Sequence, residues 1–231
     1  MTPAHVLIVD DEQRIRHLVR SNLEQRGFLV DEAPDGTTAI EMIRQLEPDL
    51  ILLDIKMPDM TGLEVCQWLR EFDPSTPVIV LSALSQEEQK VKALNIGADD
   101  YITKPFGYEE LVARVNAVMR RAGDAKTTDA PDARIEIGEL TVDIGSRRSF
   151  LKDEDIRLTR TEFALLAELA TNLDAVVSHD ELLVRVWGPE YRGANHYLHV
   201  YLGRMRKKMG THSTLLETIA GVGYILHSNL P

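Results

Sequence analysis

The stretch DLILLD, residues 49–54, is a run of four large aliphatic residues that ends in a carboxylate. A short, continuously apolar run of this kind is typical of a strand that is covered on both faces in a parallel sheet. Similar runs lie along the first half of the chain: HVLIV at 5–9, PVIVLS at 77–82 and DYIT at 100–103. These runs predict strands of one parallel sheet.

Working outward from these runs, amphipathic helical patterns separate them. The first, EQRIRHLVRSNLEQR, follows HVLIV, and a further strand pattern, FLVDEA, leads into GTTAIEMIRQL. The remaining helical patterns are GLEVCQWLREF, QEEQKVKALNIG and YEELVARVNAVMRR. Five strands that alternate with five helices predict an α/β domain over residues 1–121, with a parallel sheet and helices on both of its faces.

The composition limits the class of protein. The chain has 231 residues, 44% of them hydrophobic, and a formal net charge of −11, which suits one large or two ordinary globular domains. It contains no run of about eighteen apolar residues, and its start, MTPAHVLIVDDE, reaches acidic residues too early for a signal peptide. We therefore expect a cytoplasmic protein with no membrane partner. The single cysteine, Cys66, excludes an internal disulfide and fits a small half-buried hydrophobe.

The second half of the chain has a different order of elements. Residues 122–133, AGDAKTTDAPDA, carry no large apolar side chain and predict a flexible linker. Four strand patterns follow, RIEIG, LTVDI, RRSFL and, at 156–158, IRL. Helices come next, and then a terminal pair of strands around the glycine turn of LLETIAGVGYIL. This order predicts an α+β domain over residues 134–231.

Two capping boxes mark helix starts in this second domain. Thr159 is followed three residues later by Glu162, and Ser178 by Glu181. In a capping box each of the two side chains accepts a hydrogen bond from the backbone N–H of the other residue. The pattern therefore predicts helices that begin immediately after Thr159 and after Ser178.

Polar groups follow four of the predicted strands in the first domain. Asp10 and Asp11 follow the first strand, Asp54 ends the third, Ser82 ends the fourth and Lys104 follows the fifth. Ligands of doubly wound sheets bind outside the carboxyl ends of the strands, so these groups should meet. Three carboxylates brought together repel one another unless a hard divalent cation neutralises them, and Mg²⁺ prefers oxygen ligands. The sequence therefore predicts a magnesium site.

This arrangement suits phosphorylation of one of the carboxylates. A metal beside the carboxylate screens charge and holds the transferring oxygens, while Lys104 and the Ser82 hydroxyl donate hydrogen bonds to the phosphoryl group. Each element alone has an ordinary structural explanation, because Asp-Asp before a helix is a common N-cap and Lys-Pro is a common turn. Their joint occurrence at successive strand ends favours the phosphorylation hypothesis.

The motifs VDDE, LLDIKMPDMTG, VLSA and GADDYITKPF, within residues 5–121, resemble the signature of response-regulator receiver domains, which have a flavodoxin-like (βα)5 fold. The resemblance implies that a sensor histidine kinase phosphorylates Asp54. It also implies that Mg²⁺ is held directly by Asp11, Asp54 and the backbone carbonyl of Lys56, with Asp10 acting through water.

The same resemblance assigns roles to further residues. Ser82 and Tyr101 match the switch pair of receiver domains, in which the hydroxyl moves toward the phosphate and the aromatic ring turns inward; Tyr101 equally fits an ordinary edge aromatic. Lys104 matches the phosphate-binding lysine, and a cis peptide is implied before Pro105. Gly62 fits the loop that follows the phosphorylation site.

Receiver domains attached to winged helices also dimerise on phosphorylation, through ion pairs of the fourth helix, fifth strand and fifth helix. The charges of this chain that match are Lys92, Asp100, Glu110, Arg114 and Arg121. A further pair that is often charged in relatives is here Asn95 and Asn116, so that bridge is absent. Exposed ion pairs contribute only about 0 to 1 kcal/mol each, so we expect these to set orientation and partner choice. Without the resemblance, the same charges fit a solvated face.

One segment of this acidic chain is basic. Between Tyr191 and Leu216 there are basic residues but no acidic ones. Within it, NHYLHVYLGRMRKKMG at 195–210 predicts a helix with an apolar stripe facing a core. The residues of that stripe are Leu198, Leu202, Met205 and Met209. The polar side of the helix is expected to bind DNA. Its residues are Asn195, His196, His199, Gly203, Arg204, Arg206, Lys207 and Lys208. Membrane surfaces and acidic partners attract a basic helix as well.

Residues 134–228 resemble the winged-helix output domain of the OmpR/PhoB family, through LTRTEFALL, the Trp-Gly pair at 187–188 and GVGY at 221–224. The resemblance implies that the wing, with Gly221 and Gly223 in its hairpin, contacts DNA. Relatives carry arginine where this chain has Ala220 and Ile225, which places more of the DNA affinity on the third helix.

Two finer expectations come from the same half of the chain. The segment WGPEYRGANHYLHVY, residues 187–201, most resembles KdpE-type regulators of potassium transport. The family likeness also implies that the loop from Gly188 to Ala194 is available to contact RNA polymerase.

The leading hypothesis is a response regulator that is phosphorylated on Asp54 by a sensor histidine kinase, dimerises and binds promoter DNA to regulate transcription. The alternative is a phosphorylation-dependent adaptor that binds proteins but no specific DNA, and the missing wing arginine favours it. An enzyme acting on other substrates is not expected, because the assembled constellation serves only phosphotransfer to Asp54 and its dephosphorylation.

Overall fold

The protein consists of two compact units, Met1–Met119 and Arg120–Pro231. The structure, a computed structural model, describes residues 3–84, 86–123 and 134–229, and no side chain of residues 121–123 is described. The helix that closes the first unit begins at Tyr108 and continues through Gly123, past the unit boundary at Met119 and two residues beyond the predicted end of the first domain. The rest of the predicted linker, 124–133, lies outside the described residues. The first strand of the second unit begins at Arg134.

The first unit is a five-stranded parallel sheet with five helices. Its elements are β1 His5–Val9, α1 Gln13–Glu24, β2 Leu29–Ala33, α2 Gly36–Leu46, β3 Leu50–Asp54, α3 Gly62–Phe72, β4 Val78–Ser82, α4 Glu87–Ile96, β5 Asp100–Thr103 and α5 Tyr108–Gly123. The strand order is β2-β1-β3-β4-β5, and each neighbouring pair is parallel. The predicted doubly wound, flavodoxin-like fold is confirmed.

The core of this unit follows from the alternation of side chains along its strands. Every residue of β3 and β4 is buried, as the continuous apolar runs predict. Alternate strand residues such as Ile8, Leu52 and Leu81 pack in one cluster with Leu23 of α1 and Val115 of α5. This packing fixes the strands in register, so that their carboxyl ends lie side by side.

The second unit is α+β, as predicted. Its elements are β6 Arg134–Ile137, β7 Leu140–Asp143, β8 Arg148–Leu151, β9 Glu154–Asp155, α6 Arg160–Ala170, β10 Val177–Ser178, α7 His179–Val186, α8 Asn195–Met209, β11 Leu216–Ile219 and β12 Gly223–Leu226. Short 3₁₀ turns, Pro189–Tyr191 and Gly210–Leu215, flank α8. Strands β6 to β9 form an antiparallel sheet, and β12 pairs with both β10 and β11. Three helices and a terminal hairpin make this a winged-helix domain, as predicted.

The strand expected at 156–158 is wrong in position. The paired residues are Glu154–Asp155, because a tight turn at Lys152 and Asp153 brings the chain back at once. Both turn residues have positive φ, 51° and 68°, as the hairpin turns that suit the twist of strands require. Arg157 also has positive φ, 48°, which ends the extended backbone. The two-residue β10 was not predicted, because it is too short to show a pattern.

Both predicted capping boxes are present in this unit. The hydroxyls of Thr159 and Ser178 accept hydrogen bonds from the backbone N–H groups of Glu162 and Glu181, and the glutamates accept from the two cap residues. The apolar stripe predicted for α8 is buried. Trp187 and Tyr201, both fully buried and 5.2 Å apart between ring centroids, pack the helix against the core.

Candidate functional site

The carboxyl edge of the parallel sheet brings Asp10, Asp54 and Lys104 into direct contact. β1, β3, β4 and β5 are neighbours in the sheet, so the residues at their ends converge. The Lys104 ammonium donates hydrogen bonds to Asp10 Oδ2 and Asp54 Oδ1, each at 2.6 Å. Asp10 is fully buried and Asp54 is only 4% exposed. Two buried carboxylates therefore share one ammonium group.

This sharing perturbs the ionisation of both Asp54 and Lys104. Burial raises the pKa of Asp54, and repulsion from Asp10 acts in the same direction, whereas the hydrogen bond from Lys104 offsets only part of the shift. Burial alone would lower the pKa of Lys104, but its hydrogen bonds to Asp10 and Asp54 outweigh it and raise that pKa. The lysine therefore stays charged, and the pocket keeps an excess of negative charge.

The predicted magnesium ligands are brought together only in part. Asp10 and Asp54 meet, whereas Asp11 is exposed. Among the described residues, no three acidic, histidine or cysteine side chains form a metal-binding group. The backbone N–H of Lys56 donates to Asp54 Oδ2 at 2.6 Å, which places Lys56 beside the pocket. The donor set nevertheless fits Mg²⁺, because oxygen ligands are present and one ammonium does not neutralise two buried carboxylates. The metal site stays a prediction.

The predicted switch residues Ser82 and Tyr101 meet at the backbone of Leu84. Ser82 Oγ accepts a hydrogen bond from Leu84 N at 3.1 Å, and the Tyr101 hydroxyl donates to Leu84 O at 2.5 Å. The Tyr101 ring is 4% exposed, and burial raises the pKa of its hydroxyl. The ring lies inward and the two residues share a backbone partner, and their role as a switch stays a prediction. The Lys104–Pro105 peptide is cis, as the resemblance implied.

Gly62, the first residue of α3, lies against the backbone of the phosphorylation site. Its N–H donates to Ile55 O at 3.0 Å. A Cβ at this position would lie 1.9 Å from the backbone oxygen of Asp54, a distance that no side chain tolerates. Glycine is therefore required here by the close approach of two backbone segments.

Gly62→Ala is expected to lower the free energy of unfolding by about 2 to 3 kcal/mol, because the added methyl must displace backbone atoms of β3. Chemical denaturation measures this. Gly107→Ala is the matched control, since a Cβ there meets no atom within 4 Å. Equal denaturation midpoints for the two variants would show that the backbone contact is not limiting.

Sequence reasoning missed two groups that hold the pocket loops. Arg16 donates to the backbone oxygens of Asp10 and Asp11, at 2.6 and 3.1 Å, and so fixes the acidic turn. Asp59 accepts hydrogen bonds from the N–H groups of Gly36 and Thr37, which ties the loop after β3 to the start of α2. The hydrogen bond from the Thr37 hydroxyl, at 2.8 Å, and these backbone bonds lower the pKa of Asp59. No sequence pattern predicts these bonds, because those of Arg16 go to backbone oxygens and those of Asp59 join residues 22 and 23 positions apart.

Three of the five charges predicted for dimerisation form ion pairs within the chain. Arg114 pairs with Asp100 at 3.2 Å and with Glu110 at 3.0 Å, and Asp100 is fully buried. Lys92 is exposed on α4. The side chain of Arg121 lies outside the described residues. The face is thus organised within one chain, and its role in dimerisation stays a prediction.

The basic residues of α8 differ in what they contact. Arg204 and Lys208 form ion pairs with Glu162 of α6, at 2.8 and 2.7 Å. Arg206 donates to Leu216 O and to the Thr218 hydroxyl on β11, both at 2.7 Å. Lys207 is exposed. The predicted basic face is therefore mostly engaged inside the domain, and Lys207 extends from it into solvent.

The remaining residues of α8 that are predicted to contact DNA lie closer to the start of the helix. His199 is exposed, and its Nδ1 lies 3.2 Å from the Tyr224 hydroxyl; His196 and Gly203 are half-buried. Asn195 is half-buried, and its Oδ1 has no hydrogen-bond partner among the described residues. Their contact with DNA stays a prediction.

The two wing glycines have different roles. Gly221 has a positive φ of 72° and is exposed in the turn between β11 and β12, beside Val222, which is half exposed. Gly223 is buried in β12, where a Cβ would lie 2.0 Å from Val177 O. The close pairing of β10 and β12 therefore explains Gly223, while Gly221 is exposed at the wing turn, and its contact with DNA stays a prediction.

Two families of protein domain match this chain. Residues 6–116 match the family described as response regulator receiver domain. Residues 153–226 match the family described as transcriptional regulatory protein, C terminal. None of the described helices is long and apolar enough to cross a membrane.

Full-length relatives share both halves. The response regulator MprA of Mycobacterium sp. (strain KMS) is 38% identical over 231 residues, which cover 99% of this chain and 100% of MprA. The transcriptional regulatory protein KdpE of Mycobacterium tuberculosis is 41% identical over 222 residues, 95% of this chain and 97% of KdpE. Because both likenesses are of similar strength, the closer resemblance to KdpE-type regulators stays a prediction.

A solved structure agrees with these relatives. The response regulator DrrB, described as a Thermotoga maritima OmpR/PhoB homolog, is 31% identical to this chain. The match has a TM-score of 0.53 and covers 97% of this chain and 99% of DrrB.

Proposed function

Because this chain belongs to the OmpR/PhoB family of two-component response regulators, which act as DNA-binding transcription regulators, we propose that phosphorylation of Asp54 controls its binding to promoter DNA. The observation that carries the proposal is the buried pocket in which Asp10 and Asp54 share Lys104. The phosphodonor is a sensor histidine kinase.

The transfer uses groups that the pocket already holds. An oxygen of the Asp54 carboxylate attacks the phosphorus of a phosphohistidine, the P–N bond breaks, and the imidazole leaves and takes up a proton. The Lys104 ammonium, now hydrogen-bonded to Asp54, donates to an oxygen of the new phosphoryl group. Attack by water later releases phosphate and restores the carboxylate. The receiver thus catalyses only its own modification and its reversal.

Magnesium would complete this pocket. The residues that would hold it are Asp10, Asp11, Asp54 and the backbone carbonyl of Lys56. Bound there, Mg²⁺ supplies positive charge that offsets the excess of carboxylates and screens the incoming phosphoryl oxygens.

The response to phosphorylation is proposed to run through Ser82 and Tyr101 to the α4-β5-α5 face. Both residues already bond to the backbone of Leu84, which follows β4. If the Ser82 hydroxyl turns to the phosphoryl group, Leu84 N loses its partner, and the local backbone must rearrange. The face that carries Lys92, Glu110 and Arg114 then joins two copies of the chain.

The second unit is proposed to bind DNA through α8 and the wing turn at Gly221, and to contact RNA polymerase through the loop from Gly188 to Ala194. In that loop Tyr191 is buried and anchors the backbone, whereas Glu190, Arg192 and Gly193 are exposed. An anchored loop with exposed polar residues is suited to binding a protein partner.

Phosphorylation with acetyl phosphate and Mg²⁺ is expected to tighten binding to duplexes selected from a random pool by about tenfold, a typical coupling between two sites. A gel shift at two salt concentrations, with and without the phosphodonor, measures this change. The control is a scrambled duplex of the same length. Equal affinity for selected and scrambled duplexes would favour the adaptor alternative, and equal affinity with and without the phosphodonor would contradict control by Asp54.

A further inference from the structure

Glu162, the third residue of α6, is a fully buried carboxylate that receives two cations from α8. Its Oε1 lies 2.8 Å from Arg204 Nη2, and its Oε2 lies 2.7 Å from Lys208 Nζ. The side chains of Arg204 and Lys208 are only 11% and 31% exposed. An unpaired buried carboxylate is costly, so this pairing stabilises Glu162 and holds both cations inward.

The capping role of Glu162 does not explain its charge. At the start of α7, Glu181 caps Ser178 with the same geometry, yet Glu181 is exposed and forms no ion pair with α8 among the described contacts. A neutral glutamine also serves at this position of a capping box. The negative charge of Glu162 is therefore needed for the cations of α8 and not for the cap.

Pairing with Glu162 changes what α8 offers to solvent. The helix has four lysine and arginine side chains, and the structure describes all of them. Glu162 forms ion pairs with two of these, Arg204 and Lys208, and the guanidinium of Arg206 is hydrogen-bonded to β11. Lys207 is the one that is exposed.

We propose that Glu162 sets the sequence specificity of DNA binding by keeping Arg204 and Lys208 away from phosphate groups. This inference rests on the proposed placement of α8 on DNA. Contacts of cations with phosphates add affinity that is independent of sequence. A helix that offered all four cations would bind every duplex more tightly and discriminate less among them. Glu162 therefore acts as a positioning residue for specificity.

The first test compares neighbouring lysines in the full-length protein. Binding to a random-sequence duplex is measured by fluorescence anisotropy over a range of salt concentrations. Lys207→Gln is expected to reduce the slope of log K against log salt by about 0.9, the value for one phosphate contact. Lys208→Gln is expected to leave the slope unchanged, because Glu162 already holds that charge.

The second test removes the negative charge that both cations contact. Glu162→Gln keeps the cap and is expected to steepen the salt slope by about 1 or more and to lower the ratio of specific to non-specific affinity several-fold. Glu181→Gln, the matched control, is expected to change neither quantity. Circular dichroism establishes that each variant is folded at the assay temperature. If the Glu162→Gln protein does not fold, the salt slopes of the Lys207→Gln and Lys208→Gln proteins are sufficient to test the role of Glu162.

The outcomes separate this inference from the function on which it rests. If Lys207→Gln leaves the slope unchanged, α8 does not lie on DNA as proposed, and the inference fails with that placement. If Lys207→Gln lowers the slope and Lys208→Gln lowers it equally, DNA binding by α8 stands and only the role of Glu162 is overturned. An unchanged slope for a folded Glu162→Gln protein overturns that role as well.

Discussion

Asp54→Asn is expected to bring labelling by acetyl phosphate below detection. Asparagine keeps the shape of the side chain and an oxygen that accepts the Lys104 hydrogen bond, but its amide has no carboxylate oxygen to attack phosphorus. Labelling is measured by the mobility of the phosphorylated protein on phosphate-affinity gels, and the acyl phosphate of the unmodified protein should disappear on treatment with base.

Asp49→Asn is the matched control for this experiment. Asp49 is exposed just before β3, at the opposite end of the strand from Asp54, and accepts a hydrogen bond from His5 N at 2.8 Å. Its substitution should leave labelling at the level of the unmodified protein. A full yield of base-labile label on the Asp54→Asn protein would place the phosphoacceptor elsewhere.

The Asp54→Asn substitution is also expected to raise the thermal stability of the protein at pH 7. Burial raises the pKa of Asp54, so ionised Asp54 destabilises the folded state, and asparagine removes that cost. The gain and the loss of labelling would together show that stability is given up at this position for chemistry.

The sequence predicts the first domain well because its signals are local. The apolar runs of β3 and β4 lie in a sheet that buries both faces, and the acid at the end of β3 then has to lie at the carboxyl edge. What could not be predicted depends on contacts between distant residues. The sequence brings Asp10, Asp54 and Lys104 to one edge, but the pairing of one lysine with both acids, and the bonds of Asp59 to the start of α2, appear only when the strands are side by side.

The contacts of the basic helix α8 are a second case in which packing between distant residues could not be predicted from the sequence. Periodicity identifies the buried stripe of α8, and four cations in one helix predict a face for DNA. A helical pattern does not reveal that an acid on α6, 42 positions before Arg204 in the sequence, is buried beneath that face. The capping box signals Glu162 as a cap, and only the packing of α6 against α8 shows its second role.

Lys104→Met is expected to lower the free energy of unfolding at pH 7 by about 3 kcal/mol, the usual cost of removing one partner from a buried ion pair. Methionine fills a similar volume but leaves Asp10 and Asp54 together without a cation. Scanning calorimetry of the variant and the unmodified protein, compared at each pH, measures the loss.

The deficit should shrink as the pH falls. The folded-state pKa of Asp54 is already raised by burial, and loss of the lysine raises it further. The folded state then holds its proton more tightly than the unfolded state, so stability is greatest at low pH and declines as the pH rises through the raised value. As the pH falls from 7 toward the ordinary pKa of a carboxyl group, the variant should therefore regain stability relative to the unmodified protein. Added Mg²⁺ should stabilise the variant more than the unmodified protein at pH 7, because the cation replaces the missing charge.

Lys56→Met provides the control, since Lys56 is exposed in the same loop and bonds to Asp54 through its backbone. It should show neither the loss nor the pH dependence. A Lys104→Met protein whose deficit stays constant from pH 7 down to the ordinary pKa of a carboxyl group would mean that the lysine contributes packing only, and that the two acids carry no uncompensated charge. The magnesium proposal would then lose its physical basis, because a pocket without excess negative charge has no need of a second cation.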